Sequence, residues 1–216
     1  MIQDAQGDPS HLICLHQDIT ERKELEERLE HQAFHDSLTG LPNRALLLDR
    51  VKQALARAER RAGGQGVALL FVDLDGFKAV NDSLGHEVGD GLLVEAARRL
   101  QKLARSEDTV ARLGGDEFCV LLGDADAEEA ARVAGRILSG LEGAHFFLDE
   151  AENRRRRRVF VSASIGMALS RPHHSPSELL KEADLAMYRA KKEGKSRHAF
   201  FEPRLLEEAK ERASLE

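Results

Sequence analysis

The run Val67-Ala-Leu-Leu-Phe-Val72 constrains this chain most, because it is apolar without interruption and ends in Asp73-Leu74-Asp75. A strand that alternates apolar and polar residues buries one face; a continuous run must be covered on both. It is far too short to cross a bilayer. The rest of the chain must therefore supply helices for either side. Arg44 to Arg61 carries Leu47, Val51, Leu55 and Ala58 on one face and ends at Gly63, Gly64 and Gly66. Leu92, Leu93, Ala96, Leu100 and Leu103 predict a second helix, and Ala127 to Leu141 a third, with Val133, Ile137 and Leu141 inward. Ser175-Pro-Ser-Glu178 starts a fourth: a capping serine, a proline in the first turn and a glutamate at the third position. Its apolar face is Leu179, Ala183, Ala186, Met187 and Ala190, and Gly194 caps it.

Between these helices, Thr109–Leu113 and Phe118–Leu122 read as strands around the turn Gly114-Gly-Asp-Glu117. His145–Leu148 and the stretch Arg154 to Leu169 read as a second hairpin with its arginines near the tip. No aromatic residue interleaves with those arginines and acidic residues precede them, so they read as a solvated tip and not a nucleic-acid patch. Phe200 and Phe201 suggest a short edge strand, and a charged helix begins after Pro203. Strands and helices intermixed with adjacent hairpins imply an α/β (α+β) fold, a mixed central sheet covered by helices.

Upstream, His11 to His16 reads as a lone strand, the last piece of a preceding domain, because a single strand is not stable. Residues 19–34 read as a charged helix, with Asp18 and Glu21 as a capping box and Leu25, Leu29 and Ala33 on a narrow face. Glu24 and Arg28 form a favourable pair one turn apart. Such a stripe suits a two-helix coiled coil or a solvated linker helix. The 216 residues carry 32 basic and 38 acidic side chains, a net charge of −6, which argues against a binder of nucleic-acid polymers. Two cysteines, Cys14 and Cys119, are too few for a disulfide framework, so a cytoplasmic location is expected. No charged-then-apolar leader opens the chain and no segment suits a membrane span.

Two features carry chemistry. Asp73 ends a buried strand and is followed by Asp75, while Asp116 and Glu117 sit at a hairpin tip. Carboxylates on adjacent strand ends can share one or two Mg²⁺ ions, the layout of phosphoryl transfer. A single acidic residue in a turn is ordinarily just solvated; two glycines before the acidic pair allow a ligand close to the backbone.

Gly114-Gly-Asp-Glu-Phe118 resembles the signature of the GGDEF family, the diguanylate cyclases. Further motifs resemble it in order: Asp36 to Arg44, Phe71 to Asp90, Ser164 to Ala168 and Ala183 to Lys191. The resemblance spans residues 34–202, with the catalytic domain at 35–202. It implies a palm-like fold similar to nucleotide cyclases and one reaction, two GTP giving cyclic di-GMP and two pyrophosphates. By resemblance, Asp73, the Leu74 carbonyl and Asp116 hold Mg²⁺, or Mn²⁺, with Glu117 close by. Asp116 or Glu117 is the implied base, Asp116 preferred. Lys78 stands where the family sets a lysine against the phosphates, and Lys191 and Lys195 match its phosphate-binding pair. Lys195 is often arginine in the family, so a bidentate fork is lost here. Alone, these lysines would read as a solvated helix end or surface.

Asn81 and Asp90 match the guanine-reading pair. Guanine offers an N1–H and a 2-amino group that one carboxylate can accept together; adenine offers neither, so Asp90 favours GTP over ATP. His86 matches a residue near the base or ribose; otherwise it only orders a Gly85–Gly89 loop. The two-fold symmetry of the product implies a homodimer. Arg105-Ser-Glu-Asp108 has the spacing of the family's RxxD inhibitory site for cyclic di-GMP, with Arg136 as a further contact. Residues 1–18 resemble the tail of a PAS sensor domain, 19–34 its signalling helix, and 203–216 the helix leading into an EAL phosphodiesterase domain. The alternative reading is a GGDEF domain that binds GTP or cyclic di-GMP without turnover, as a regulator.

Overall fold

A computed structural model describes residues 2–3, 9–11, 20, 23, 32–60, 66–141, 146–149 and 156–213. The chain divides into two compact units, Met1–Ala33 and Phe34–Glu216. In the first, β1 (Ile2–Gln3) pairs antiparallel with β2 (Pro9–His11). Of the stretch His11 to His16 expected as a lone strand, only His11 is described, at the end of β2; Leu12 to His16 lie outside the described residues. Thr20, Lys23 and residues 32–34 are helical. The Asp18–Glu21 cap, Leu25, Leu29 and the Glu24–Arg28 pair lie outside the described residues.

The second unit is built around β3 (Ala68–Asp75), buried from Ala68 through Leu74. The central sheet has the order β4 (Thr109–Gly114), β5 (Glu117–Leu122), β3, β8 (Ser162–Leu169), β9 (Arg197–Phe200). All pairings are antiparallel except β8 with β9. Alternate residues of β3 serve opposite layers. Leu70, Val72 and Leu74 pack with Leu92 and Leu100 of α3 (His86–Leu103) and Ile137 of α4 (Ala127–Leu141). Leu69 and Phe71 pack with Leu47 and Val51 of α1 (Arg44–Arg60) and Leu179 and Met187 of α5 (Pro176–Lys192). At about 1.5–3 kcal/mol for each fully buried large apolar side chain, these two layers are the main stabilising term.

Helix starts follow local chemistry. The Asn43 carboxamide oxygen accepts from the N–H of Ala45 and Leu46, capping α1. The Ser175 hydroxyl accepts from Glu178 N–H at 3.2 Å while the Glu178 carboxylate accepts from Ser175 N–H at 2.9 Å, as the sequence predicts. At Gly166 a Cβ would meet the Ala183 carbonyl and the Met187 nitrogen at 2.0 Å, so α5 lies directly on β8 only because that position has no side chain.

Two expectations are corrected. The stretch read as a Gly85–Gly89 loop is helical: α2 (Phe77–Leu84) meets α3 at Gly85, and α3 starts at His86. The glycines of that stretch argue against helix locally, but Gly89 is buried where α3 packs on Asn81 of α2, and tertiary contact overrides propensity. The second hairpin also ends earlier than its apolar run. β6 (Phe146–Asp149) pairs with β7 (Arg156–Val159) in a separate two-stranded sheet, and the chain then breaks before β8 joins the central sheet. Arg156–Arg158 thus lie in a return strand, and Arg154 and Arg155 lie outside the described residues. After β9, α6 (Arg204–Ala213) follows Pro203. Among the described residues, no helix is long and apolar enough to cross a membrane.

Candidate active site

The hairpin between β4 and β5 places Glu117 directly opposite Asp73 on β3. Gly114 and Gly115 both take left-handed φ, 143° and 50°, which residues with a Cβ avoid. They have open space around them, so these glycines serve the turn's backbone shape. The turn is fastened on two sides. Leu74 N–H donates to the Asp116 carbonyl at 3.3 Å. From behind, the buried Arg112 guanidinium donates to the Gly115 carbonyl at 2.8 and 3.1 Å and to both oxygens of Asp36 at 2.8 and 3.0 Å. Asp36 also accepts from the N–H and hydroxyl of Thr39. Burial pushes the Asp36 carboxyl up, but the hydrogen bonds from Thr39 and Arg112 outweigh it, and the group sits below the usual carboxylate value.

A cleft of about 410 Å³ opens at this end of β3, lined by Asp73, Leu74, Asp75, Phe77, Lys78, Asp82, Asp116, Lys191 and Lys195. Asp73 is 5% exposed, and the Lys191 ammonium lies 2.6 Å from its carboxylate. Burial pushes Asp73 up to about 6; the Lys191 hydrogen bond opposes this, while the charges of Asp116 and Asp75 add to it. Glu117 is also raised, first by burial, then by Asp184 and Asp116, against Lys191 and Arg44. The cleft thus sets a buried carboxylate, Asp73, and the partly buried Asp75 and Asp116 among three lysines, charges of both signs in one space.

Against this geometry the comparisons are decisive. The family model described as the diguanylate cyclase GGDEF domain matches residues 33–197. The chain belongs to the GGDEF family. It is 43% identical over 184 residues to the bifunctional diguanylate cyclase/cyclic di-GMP phosphodiesterase MucR of Pseudomonas aeruginosa, covering 85% of this chain and 26% of MucR. The GGDEF-domain structure of TpbB (YfiN) from the same organism superposes with a TM-score of 0.71 at 42% identity, covering 80% of this chain and 99% of that one. The coiled coil and GGDEF domain of DgcB from Caulobacter crescentus, in complex with c-di-GMP, gives 0.74 at 27% identity over 84% of this chain and 93% of that one. The chain spans 18% to 41% of the lengths of the first curated relatives it matches. The mixed sheet with helices on both faces is that of GGDEF structures, and GGDEF diguanylate cyclases use a divalent metal.

The GGDEF chain brings some expected residues into the cleft and leaves others outside its lining. Asp73, Leu74, Asp116, Lys78, Lys191 and Lys195 line it; Glu117 is half-buried beside it. Asn81 lies on α2 and His86 and Asp90 on α3; the buried Asn81 Oδ1 has no hydrogen-bond partner among the described residues and lies against Gly89. The RxxD turn lies before β4, at the opposite end of that strand from Gly114. There Arg105 N–H donates to the Asp108 carboxylate at 2.8 Å, and the Arg105 guanidinium rests on Glu129 at 2.9 Å. The Asp108 carboxyl is raised by burial, against the backbone hydrogen bond from Arg105 and the charges of Arg105 and Arg136. The Nε of Arg136 is buried with no hydrogen-bond partner among the described residues.

Asp75, which follows Asp73 by two residues, is held by the protein: its oxygens accept from the hydroxyls of Ser162 and Ser164 at 2.9 and 2.8 Å and from Ser196 N–H at 3.1 Å. Arg112 was missed altogether. Its signal was a basic residue inside an otherwise apolar strand, which demands a buried acidic partner.

Proposed function

We propose that this chain is a diguanylate cyclase module that condenses two GTP into cyclic di-GMP and two pyrophosphates. One observation carries the reading: Asp73 and Asp116 share a single cleft with Lys78, Lys191 and Lys195. The oxygen donors Asp73, the Leu74 carbonyl, Asp116 and Glu117 suit Mg²⁺ or Mn²⁺. The fit is supported by Asp73, a buried carboxylate that already draws a cationic group, Lys191, to 2.6 Å. When bound, the ion supplies charge neutralisation at the triphosphate and a lowered pKa at the ribose 3′-hydroxyl. Lys78, Lys191 and Lys195 bind and orient the phosphates. Asp116 takes the 3′-hydroxyl proton as that oxygen bonds to the α-phosphorus of the other GTP and the bond to pyrophosphate breaks. Glu117 flanks it. The same step repeated with the roles exchanged closes the ring.

Asp90 accepts the guanine N1–H and 2-amino group, Asn81 offers its unpartnered carbonyl, and His86 faces the base or ribose. A cleft that holds one GTP needs a second copy facing it, so the active form is a homodimer, and residues 19–34 set how the two copies face. Cyclic di-GMP held by Arg105, Asp108 and Arg136 blocks that arrangement; the orphaned Arg136 Nε supports a site short of an acceptor.

The test is incubation with GTP and Mg²⁺ over a range of protein concentrations, with nucleotides separated by chromatography. Cyclic di-GMP formation rising more steeply than protein concentration is expected. GTP binding with no product at high protein concentration would overturn the reading in favour of a regulatory domain.

A further inference from the structure

Lys195 lines the cleft, yet it belongs to no helix or strand. It sits in the turn between α5 and β9, and it and Ser196 both take left-handed φ, 62° and 49°. Two consecutive non-glycine residues in that region are disfavoured and persist only where the surroundings hold them. One hold comes from α5: Lys195 N–H donates to the Ala190 carbonyl at 3.1 Å, closing the helix end. The other comes from β3, through Asp75, whose carboxylate accepts from Ser196 N–H.

The sheet register explains why Asp75 reaches that turn. Asp75 is paired with Ser162 on β8, and Ser164, two residues on, shares its face. Ser164 is fully buried, so its hydroxyl needs a partner, and Asp75 provides it. On the other side of β8, Ser164 is paired with Arg197, the first residue of β9, which places Ser196 beside the same carboxylate. Asp73 and Asp75 point to the same face of β3. The first grips the Lys191 ammonium; the second grips the backbone just after Lys195.

We propose that Asp75 is a positioning residue for the phosphate-binding lysines. It pins the left-handed Lys195–Ser196 turn to the end of β3, so that the Lys195 ammonium is held over the cleft that contains Asp73 and Asp116. This rests on the reading of Lys195 as a triphosphate ligand. Asp75 itself touches no substrate; three protein donors occupy its oxygens.

The test is GTP steady-state kinetics for the wild-type chain, Asp75→Asn, Lys195→Ala and the double variant. Lys195→Ala is expected to raise KM about tenfold, as for loss of one charge-assisted contact. Asp75→Asn leaves the lysine in place but frees its turn, and is expected to raise KM several-fold with a smaller change in kcat. In the Lys195→Ala background it should raise KM no further. Independent, multiplying effects would overturn the proposal and make Asp75 a general stabiliser of the sheet. An unchanged KM in Lys195→Ala would instead remove the lysine reading, and the proposal with it. If Asp75→Asn fails to fold, Ser162→Ala removes one of the three donors. A smaller KM rise that vanishes in the Lys195→Ala background is expected there, and an unchanged KM overturns the proposal.

Discussion

At the far end of β4, Arg112 points inward and commits its guanidinium to Asp36 and the Gly115 carbonyl; just before the near end, Arg105 points outward and leans on Glu129. The Arg112 side chain is 9% exposed and the Arg105 side chain 46%. One strand thus separates a buried arginine with fixed partners from an exposed one whose partner can be exchanged. The difference follows from solvation. A buried guanidinium left unpaired is expensive, so Arg112 cannot let go. An exposed ion pair is worth about 0–1 kcal/mol, so a competing acceptor can displace Glu129 from Arg105. A fixed support suits a rigid turn, and an exchangeable one suits the inhibitory role proposed for Arg105.

The largest effect should come at the catalytic end. Asp116→Asn keeps the size of the side chain and should lower cyclic di-GMP formation by roughly 10³-fold or more, with the thermal midpoint unchanged. Retained turnover would remove Asp116 from the mechanism. Next, Arg112→Ala should destabilise the fold by roughly 3 kcal/mol in denaturant titration, because it strands Asp36. Arg105→Ala should cost under about 0.5 kcal/mol in the same titration and abolish product inhibition. Equal stability losses would erase the distinction between the two arginines.

The Asp36–Arg112 pair also sets an acid limit. The folded carboxyl lies below its usual value, so its contribution is fully present above the unfolded value of about 4 and fades as pH falls through the folded one. Stability measured from pH 6 downward should therefore fall less steeply below pH 4 in Asp36→Asn than in the wild-type chain. The smallest effect belongs to Glu129→Gln. Freeing Arg105 should tighten product inhibition by a few-fold at most, and a weaker grip on cyclic di-GMP would show that Glu129 helps to shape the site.

Part of this architecture is legible in the sequence alone. The buried strand ending in Asp73, the hairpin carrying Asp116 and the Ser175 capping box all rest on signals within a few residues, where periodicity and turn chemistry act. The Gly85–Gly89 stretch misled, because its composition speaks for a loop while its packing makes it helix. The second hairpin misled for the opposite reason: a largely apolar stretch continues from Val159 to Leu169, although the chain changes sheets within it.

By itself, then, the sequence determined where the acidic and basic residues of the cleft lie along the strands and turns, and the family whose motifs they form. Which carboxylate the serines hold was decided in three dimensions. Asp73 and Asp75 are indistinguishable as residues in Asp73-Leu74-Asp75. Asp75 lost its oxygens to serines 87, 89 and 121 positions away, and Asp36 was claimed by an arginine 76 positions away. Those partners meet only once strand register sets which side chains share a face, and register is a property of the assembled sheet.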